Sequence, residues 1–364
     1  MSEPVLQIDD VPRRPMIQNV QLLRFVAAFG VLVSHAADLL IPHDTDHRWF
    51  WSVPWTAGVD LFFVISGFVM LYLAHDAFGR RGTPGDFLLR RLMRIVPPYW
   101  FFTTLTVIAT VAMGGRLKGT TIDLTQIVTS YTFLPWPRAD GRINPILAQG
   151  WTLNHEMFFY LAFAAALFAR RGFALLCTGL ILLAVVHGSI PPSLVAVEFW
   201  TRPIILEFLA GMLLARLYLA GFRMSAAAAT LGLAIAITVF MLTSSHAWGD
   251  FARAVHLGIP AAIVAASVIL LPEPTDPGPV RRFLKHGGDA SYTLYLSHYM
   301  IVNVVGLVWR RLGIGLPWLG VALGIGMSIG VALLFFRAVE RPATHWLQCR
   351  IAHRRVSTLD DVAP

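Results

Sequence analysis

Apolar residues in this chain come as long, nearly continuous runs rather than as stripes on otherwise polar helices. Such runs lie near residues 18–40, 54–74, 94–113, 147–169, 172–188, 200–220, 225–243, 252–271, 292–312 and 316–337. Most are long enough, at about 1.5 Å per residue, to approach or cross a hydrocarbon layer of about 30 Å. Each predicts a helix, because backbone polar groups in lipid must be satisfied within their own segment. The expected fold class is therefore all-α: a polytopic integral-membrane bundle of about ten transmembrane helices. Residues 1–17 and 346–364 would be short tails around a single membrane domain over 18–345.

Ten crossings place both termini on one face, and the basic residues say which. With the N-terminus inside, about two in three Lys and Arg fall on inner segments, among them Arg80, Arg81, Arg90, Arg91 and Arg94. Basic loops resist translocation, so both termini are expected in the cytoplasm. Arg310 and Arg311 fall on the opposite side and make the last two helices the exception. The net charge of +8 is thereby read as topology, and nucleic acid is not an expected partner. Composition agrees with a lipid setting: 56% of residues are hydrophobic, 14% are charged and the mean hydropathy is +0.63.

The two cysteines, Cys177 and Cys349, have no metal-binding or disulfide spacing, and no metal is expected. The polar start of the chain, with Glu3, Asp9, Asp10, Arg13 and Arg14, does not resemble a cleavable signal, so the first helix is expected to be retained. The arginine-rich inner loop from His75 to Arg94 suits a polyanion such as a nucleotide's phosphates, since guanidinium donates in a fixed fork. The outer loop from Gly114 to Gly150 holds Tyr131, Phe133, Pro135, Trp136 and Pro137, and would cover or bind something on the outer face. The run PEPTDPGP over 272–279 reads as a stiff inner loop.

Ionisable residues at bilayer depth are costly and normally face the bundle interior. Arg24 and His35 share the first run; eleven residues separate them by about 16 Å and about three helical turns, so they point to nearly the same side. The plainer alternatives are an arginine that snorkels to headgroups and a histidine satisfied in the bundle. Asp38, at i+3 from His35, is placed to orient its ring. Asp60 in GVDLFFVISGF, Glu156 in WTLNHEMFFY, and Glu207 also need explanation, as do Tyr292, Tyr295 and His298 in GDASYTLYLSHY. Glu156 calls for a neighbouring cation or a proton. The tyrosine stripe at 292, 295 and 299 fits bundle packing as well as it fits a site.

Taken in order, LLRFVAAFGVLVSH, GVDLFFVISGF, RRLMRIVPPYW, WTLNHEMFFY, ASYTLYLSH and a terminal VERP resemble the membrane-bound acyltransferase-3 family over about residues 17–345. The first two motifs are most similar to its exopolysaccharide O-acetyltransferase branch. The resemblance implies an enzyme of ten or so helices that moves an acyl group, commonly acetyl, from acyl-CoA to an extracytoplasmic glycan. It implies that Arg24 and His35 are the family's essential pair. Arg90, Arg91, Arg94 and Tyr99 would be its basic cytoplasmic motif, serving acyl-CoA, and Glu156 its acidic position. Thr152 stands where the family usually has a serine and keeps the hydroxyl.

Acyl transfer from a thioester needs a base for the acceptor alcohol, stabilisation of an oxyanion and alignment of two substrates. His35 is the expected base, oriented by Asp38 or Glu156, with an acyl-histidine route as a variant. Trp151, Tyr292 and His298 are the expected substrate-side residues, the last two also as candidate oxyanion donors. Acyl-CoA is expected as co-substrate, with no permanently bound cofactor. The acceptor would be a polysaccharide or lipid-linked glycan, membrane lipid would surround the protein, and a homo-oligomer is compatible with the sequence. Competing readings are a glycan transporter or flippase, acylation of a small glycoside or macrolide, and a haem protein using His35 with His298 or His187. The transporter reading lacks the inverted repeat it prefers.

Overall fold

A computed structural model of the protein describes residues 14–41, 47–51, 53–80, 82–112, 123–243, 249–274, 276 and 278–346. Arg13, Arg81, Arg116, Lys118 and the tail beyond residue 346, with Cys349, lie outside the described residues, as does most of the N-terminal tail. The described chain is helical, with one isolated antiparallel bridge between Pro137 and Ile143. Its helices are α1 Gln18–Leu40, α2 Arg48–Trp51, α3 Gly58–Ala74, α4 Thr83–Ala112, α5 Leu124–Tyr131, α6 Trp151–Leu167, α7 Gly172–Val186, α8 Val195–Thr201, α9 Ile205–Leu219, α10 Ala226–Leu242, α11 Asp250–Arg253, α12 Ile259–Ile269, α13 Pro279–Asp289, α14 Ser291–Arg311 and α15 Pro317–Phe335.

Six helical stretches among the described residues are long and apolar enough to cross a membrane: 18–40, 55–77, 83–112, 172–189, 250–269 and 317–346. The other four expected runs form helices that fall short of that standard for identifiable reasons. α6 and α10 have 17 residues and α9 has 15, about 22–26 Å of helix. α9 begins only after the chain breaks at Arg202–Pro203, where proline removes a backbone donor. α14 has the length, but its 21 residues include two arginines and a run of hydroxyls and histidine.

Hydrogen bonds between loops gather the helix ends onto two faces. On one face Gly79 N–H bonds to the Leu167 carbonyl, Met224 N–H to Leu270, and Asn19 to the carbonyls of Val268 and Leu271. The Glu273 carboxylate accepts from Asn19 N–H at 2.7 Å, filling a vacancy that every helix N-terminus leaves. On the opposite face Arg310 reaches the Leu39 carbonyl and Arg253 reaches Asp60.

Close backbone approach fixes the centre. On α3, Gly67 lies so near Phe208 of α9 that a Cβ would stand 2.0 Å from its carbonyl oxygen; reciprocally, a Cβ on Gly211 would stand 1.9 Å from that of Val64. Small residues serve this way in lipid, where dispersion rather than water exclusion drives helix association. α1 is enclosed by α3, α13, α14 and α15, with Gly58, Gly287 and Gly288 pressed on Ala27, Phe25 and Gln21. α4 carries Pro97 and Pro98 in its middle, which deprives two carbonyls of helical donors.

Candidate active site

Residues of α1, α3, α4, α6 and α14 line a cavity within the bundle. Arg24 enters it from α1, Arg91 and Arg94 from α4, Ser66 from α3, Glu156 and Tyr160 from α6, and Tyr292 and Tyr295 from α14. Along α3 its lining runs from Val59 to Met70, about 16 Å. Three guanidinium groups thus converge inside a bundle, where Arg24 is partly buried rather than extended to headgroups.

Carboxylates lie near these cations, but none forms an ion pair with them among the described residues. Glu156 accepts hydrogen bonds from Ser66 Oγ at 2.7 Å and from the Tyr160 hydroxyl through its Oε1. Arg24 feels the like charge of Arg94 and the opposite charges of Glu340, Glu156 and Asp289. Glu340 is buried, and accepts a hydrogen bond from Thr293; it ends a π-helical turn, Phe336–Glu340, that continues α15. Such turns recur where a side chain must be re-aimed. Arg24 also donates weakly to Gln21, whose amide reaches Asp289 at 2.8 Å. Sequence reasoning missed Ser66, Tyr160 and Glu340 as site residues, although Glu340 stands in the VERP motif and Ser66 in GVDLFFVISGF.

The other predicted residues are distributed around this cavity rather than within it. His35 faces α14, not lipid: its ring stacks on His298 with centroids 5.3 Å apart and meets Tyr299 edge-on. His298 is wholly buried, with Nδ1 3.0 Å from the Leu294 carbonyl and Nε2 without a partner. A carbonyl only accepts, so Nδ1 carries the proton and Nε2 presents a lone pair. The His298 ring lies 6.0 Å from Tyr295, which lines the cavity, so the histidine pair forms a second layer behind its wall. Asp38 is exposed at the end of α1. Glu156 is bonded to Ser66 and Tyr160 rather than to His35, and the Tyr292 hydroxyl donates to the Ile95 carbonyl at 2.8 Å, which commits its proton.

Arg90 is exposed, one position before Arg91. Tyr99 is wholly buried outside the cavity; its hydroxyl donates to the Ser130 carbonyl at 3.1 Å and its ring lies 4.6 Å from Phe133. It pins the segment between α4 and α6, where Asp123 caps α5 through Gln126 N–H and Ser130 Oγ accepts from Ile146 N–H.

Trp151 opens onto a second space on the opposite face, a cleft that also touches Asn144, His155, Arg142, Arg202 and Arg253. The two spaces back onto each other across α6, with Thr152, Leu153 and Glu156 on one side of the helix and Trp151 and His155 on the other. Aromatic rings fill the partition: His155 stacks on Phe199 at 4.1 Å and meets Phe63 and Trp151 edge-on. Near the cleft, His187, Glu198 and Asp250 bring ligand-type atoms within 4.8 Å of one another. Arg202 already bonds Glu198 and approaches Asp250, supplying there the positive charge that a metal would bring.

The fold is thus a bundle of apolar, membrane-type helices with an arginine-lined chamber on one side of α6, a cleft on the other, and a histidine pair behind the chamber wall. The chain belongs to the acyltransferase-3 family, whose acyltransferase domain matches residues 17–337. It is 36% identical over 301 residues to exopolysaccharide production protein ExoZ of Rhizobium meliloti (strain 1021), covering 79% of this chain and 88% of the relative. It is 26% identical over 378 residues to nodulation protein 10 of Rhizobium leguminosarum bv. viciae, covering 93% and 96%. No solved structure matches.

Proposed function

We propose that this protein is an O-acyltransferase of the bacterial inner membrane that moves an acyl group, most simply acetyl, from acyl-CoA to a hydroxyl of an exopolysaccharide or its lipid-linked precursor. Family membership and the likeness to a protein named for exopolysaccharide production support the reaction class and the acceptor. The observation that carries the donor is the convergence of Arg24, Arg91 and Arg94 on one chamber, because three forked donors match a nucleotide's phosphates. In this reading the chamber opens to the cytoplasm with both termini, all ten long helices cross the bilayer, and the acceptor approaches from the other face.

The acceptor oxygen attacks the thioester carbonyl carbon, and the C–S bond breaks. The hydroxyl proton goes to His35 by way of Tyr295, the wall residue between the chamber and the histidine pair, and returns to the departing thiolate, so that the products are an ester and free CoA thiol. His298 positions the ring of His35 by stacking, and its Nε2 has no hydrogen-bond partner. Histidine suits the task because its imidazole exchanges protons near neutrality.

Mass spectrometry of surface polysaccharide from cells with and without the gene tests this function. An acyl-sized mass difference, restored by the wild-type gene and absent with His35→Ala, is the expected result. Identical polysaccharide in both strains, together with no transfer from acetyl-CoA by the purified protein, would overturn it.

A further inference from the structure

The outer cleft is built as a binding site and not as a gap between helices. His155 lines it while wholly buried, and neither ring nitrogen has a partner. A buried polar group left unpaired costs free energy, so the position makes sense when something else completes it. Trp151, half-buried at the mouth, offers a flat apolar face beside that histidine, their rings 6.0 Å apart. Asn144 adds an amide from the outer loop.

The charges around the cleft decide what kind of ligand fits. Three arginines border it, yet each is held by a carboxylate. Arg142 makes two bonds to Asp140, at 2.9 and 2.6 Å; Arg202 makes three to Glu198, each at 3.3 Å; and Arg253 meets the buried Asp60 at 2.7 Å. Asp250, which also borders the cleft, is held by His187 at 3.2 Å. An anion-binding site needs cationic donors whose charge is not already met, as in the inner chamber. Here the guanidinium groups are fixed in direction and neutralised in charge. That combination suits an uncharged ligand with neighbouring hydroxyls, which needs oriented donors and acceptors and one apolar face.

We propose that the outer cleft binds an uncharged sugar unit of the acceptor glycan, with Trp151 stacking on the ring and His155 hydrogen-bonding a hydroxyl. This rests on the acyltransferase reading and adds to it the class of acceptor and the residues that select it. The partition of Phe63, His155 and Phe199 then lies between the bound sugar and the donor chamber.

The test measures binding to the full-length protein in lipid nanodiscs, without acyl donor, by saturation-transfer NMR and calorimetry. The probes are an uncharged gluco-oligosaccharide and an oligogalacturonide of matched length. The uncharged probe should bind, the uronate should bind more weakly, and Trp151→Ala should weaken binding of the former about tenfold, with Trp151→Phe partly restoring it. His155→Asn should also weaken it, while acetyl-CoA binding to every variant stays at the wild-type level and shows that they are folded. Failure of both probes to bind, tighter binding of the uronate, or unchanged affinity in Trp151→Ala would overturn the assignment. Sugar binding that depends on Trp151, in a protein that transfers no acyl group, would instead remove the transferase function and leave the cleft standing.

Discussion

Asp60 of α3 and Arg253 of α11 meet at 2.7 Å, with the carboxylate wholly buried and the guanidinium 27% exposed. The second carboxyl, Glu207 of α9, packs beside them against Gly258, where a Cβ would stand 2.8 Å from its Oε1. Removing one member of a buried pair strands the other, which costs about 3–5 kcal/mol when both are enclosed. Asp60→Asn is expected near the lower end, because Arg253 keeps contact with water. Glu207→Gln preserves the shape and leaves the Asp60–Arg253 pair itself intact, so it should cost less. Thermal unfolding in detergent would show the difference as a larger fall in Tm for Asp60→Asn.

The three arginines of the inner chamber should act on the donor and not on the acceptor. Each phosphate bond lost is worth about 1.5–3 kcal/mol, or roughly ten- to a hundredfold in affinity. Arg24→Ala and Arg94→Ala are therefore expected to raise the KM for acetyl-CoA by that order and leave binding of the glycan unchanged. Lysine at position 24 should restore little, since it lacks the planar fork. Calorimetric titration with CoA separates the effects without a turnover assay.

Tyr99 is expected to behave as a structural residue. Tyr99→Phe removes one bond to the Ser130 carbonyl and should cost about 1 kcal/mol of stability, read as a lower Tm. The KM for acetyl-CoA should not move. A raised KM with unchanged Tm would return Tyr99 to the donor site.

The α3–α9 contact should tolerate no side chain at its centre. Gly67→Val would drive Cβ into the Phe208 carbonyl and prevent close packing, with loss of folded protein by size-exclusion chromatography. Gly179 of α7, with open space around it, is the matched control and should accept alanine without loss.

Much of this was legible in the sequence, because lipid imposes one strong rule on the backbone and apolar runs reveal it. The chamber's arginines and Glu156 were likewise visible as charges where charge is expensive. Their partners were not. Ser66 in an apolar stretch reads as a small packing residue, and Tyr160 as one aromatic among several, until α3 and α6 bring both to Glu156. Arg24 and His35 do share a side of α1, but one side of a helix meets different neighbours at different depths. Arg24 therefore lines the chamber while His35 packs on α14. The family resemblance groups Tyr99 with Arg94 in one motif, whereas five residues of helical rise carry it away from the chamber to Ser130 and Phe133.

The aromatic wall along α6 also bears on the energetics of the cell. An open pore through the bundle would let protons and salt run down the electrochemical gradient. Two vestibules back to back across α6 avoid that leak, since only the reacting atoms need to meet across one layer of rings while bulk water stays on its own side. The rings of Phe63, His155 and Phe199 are thus as much an insulator as a scaffold, and thinning them should depolarise the membrane even where the chemistry survives.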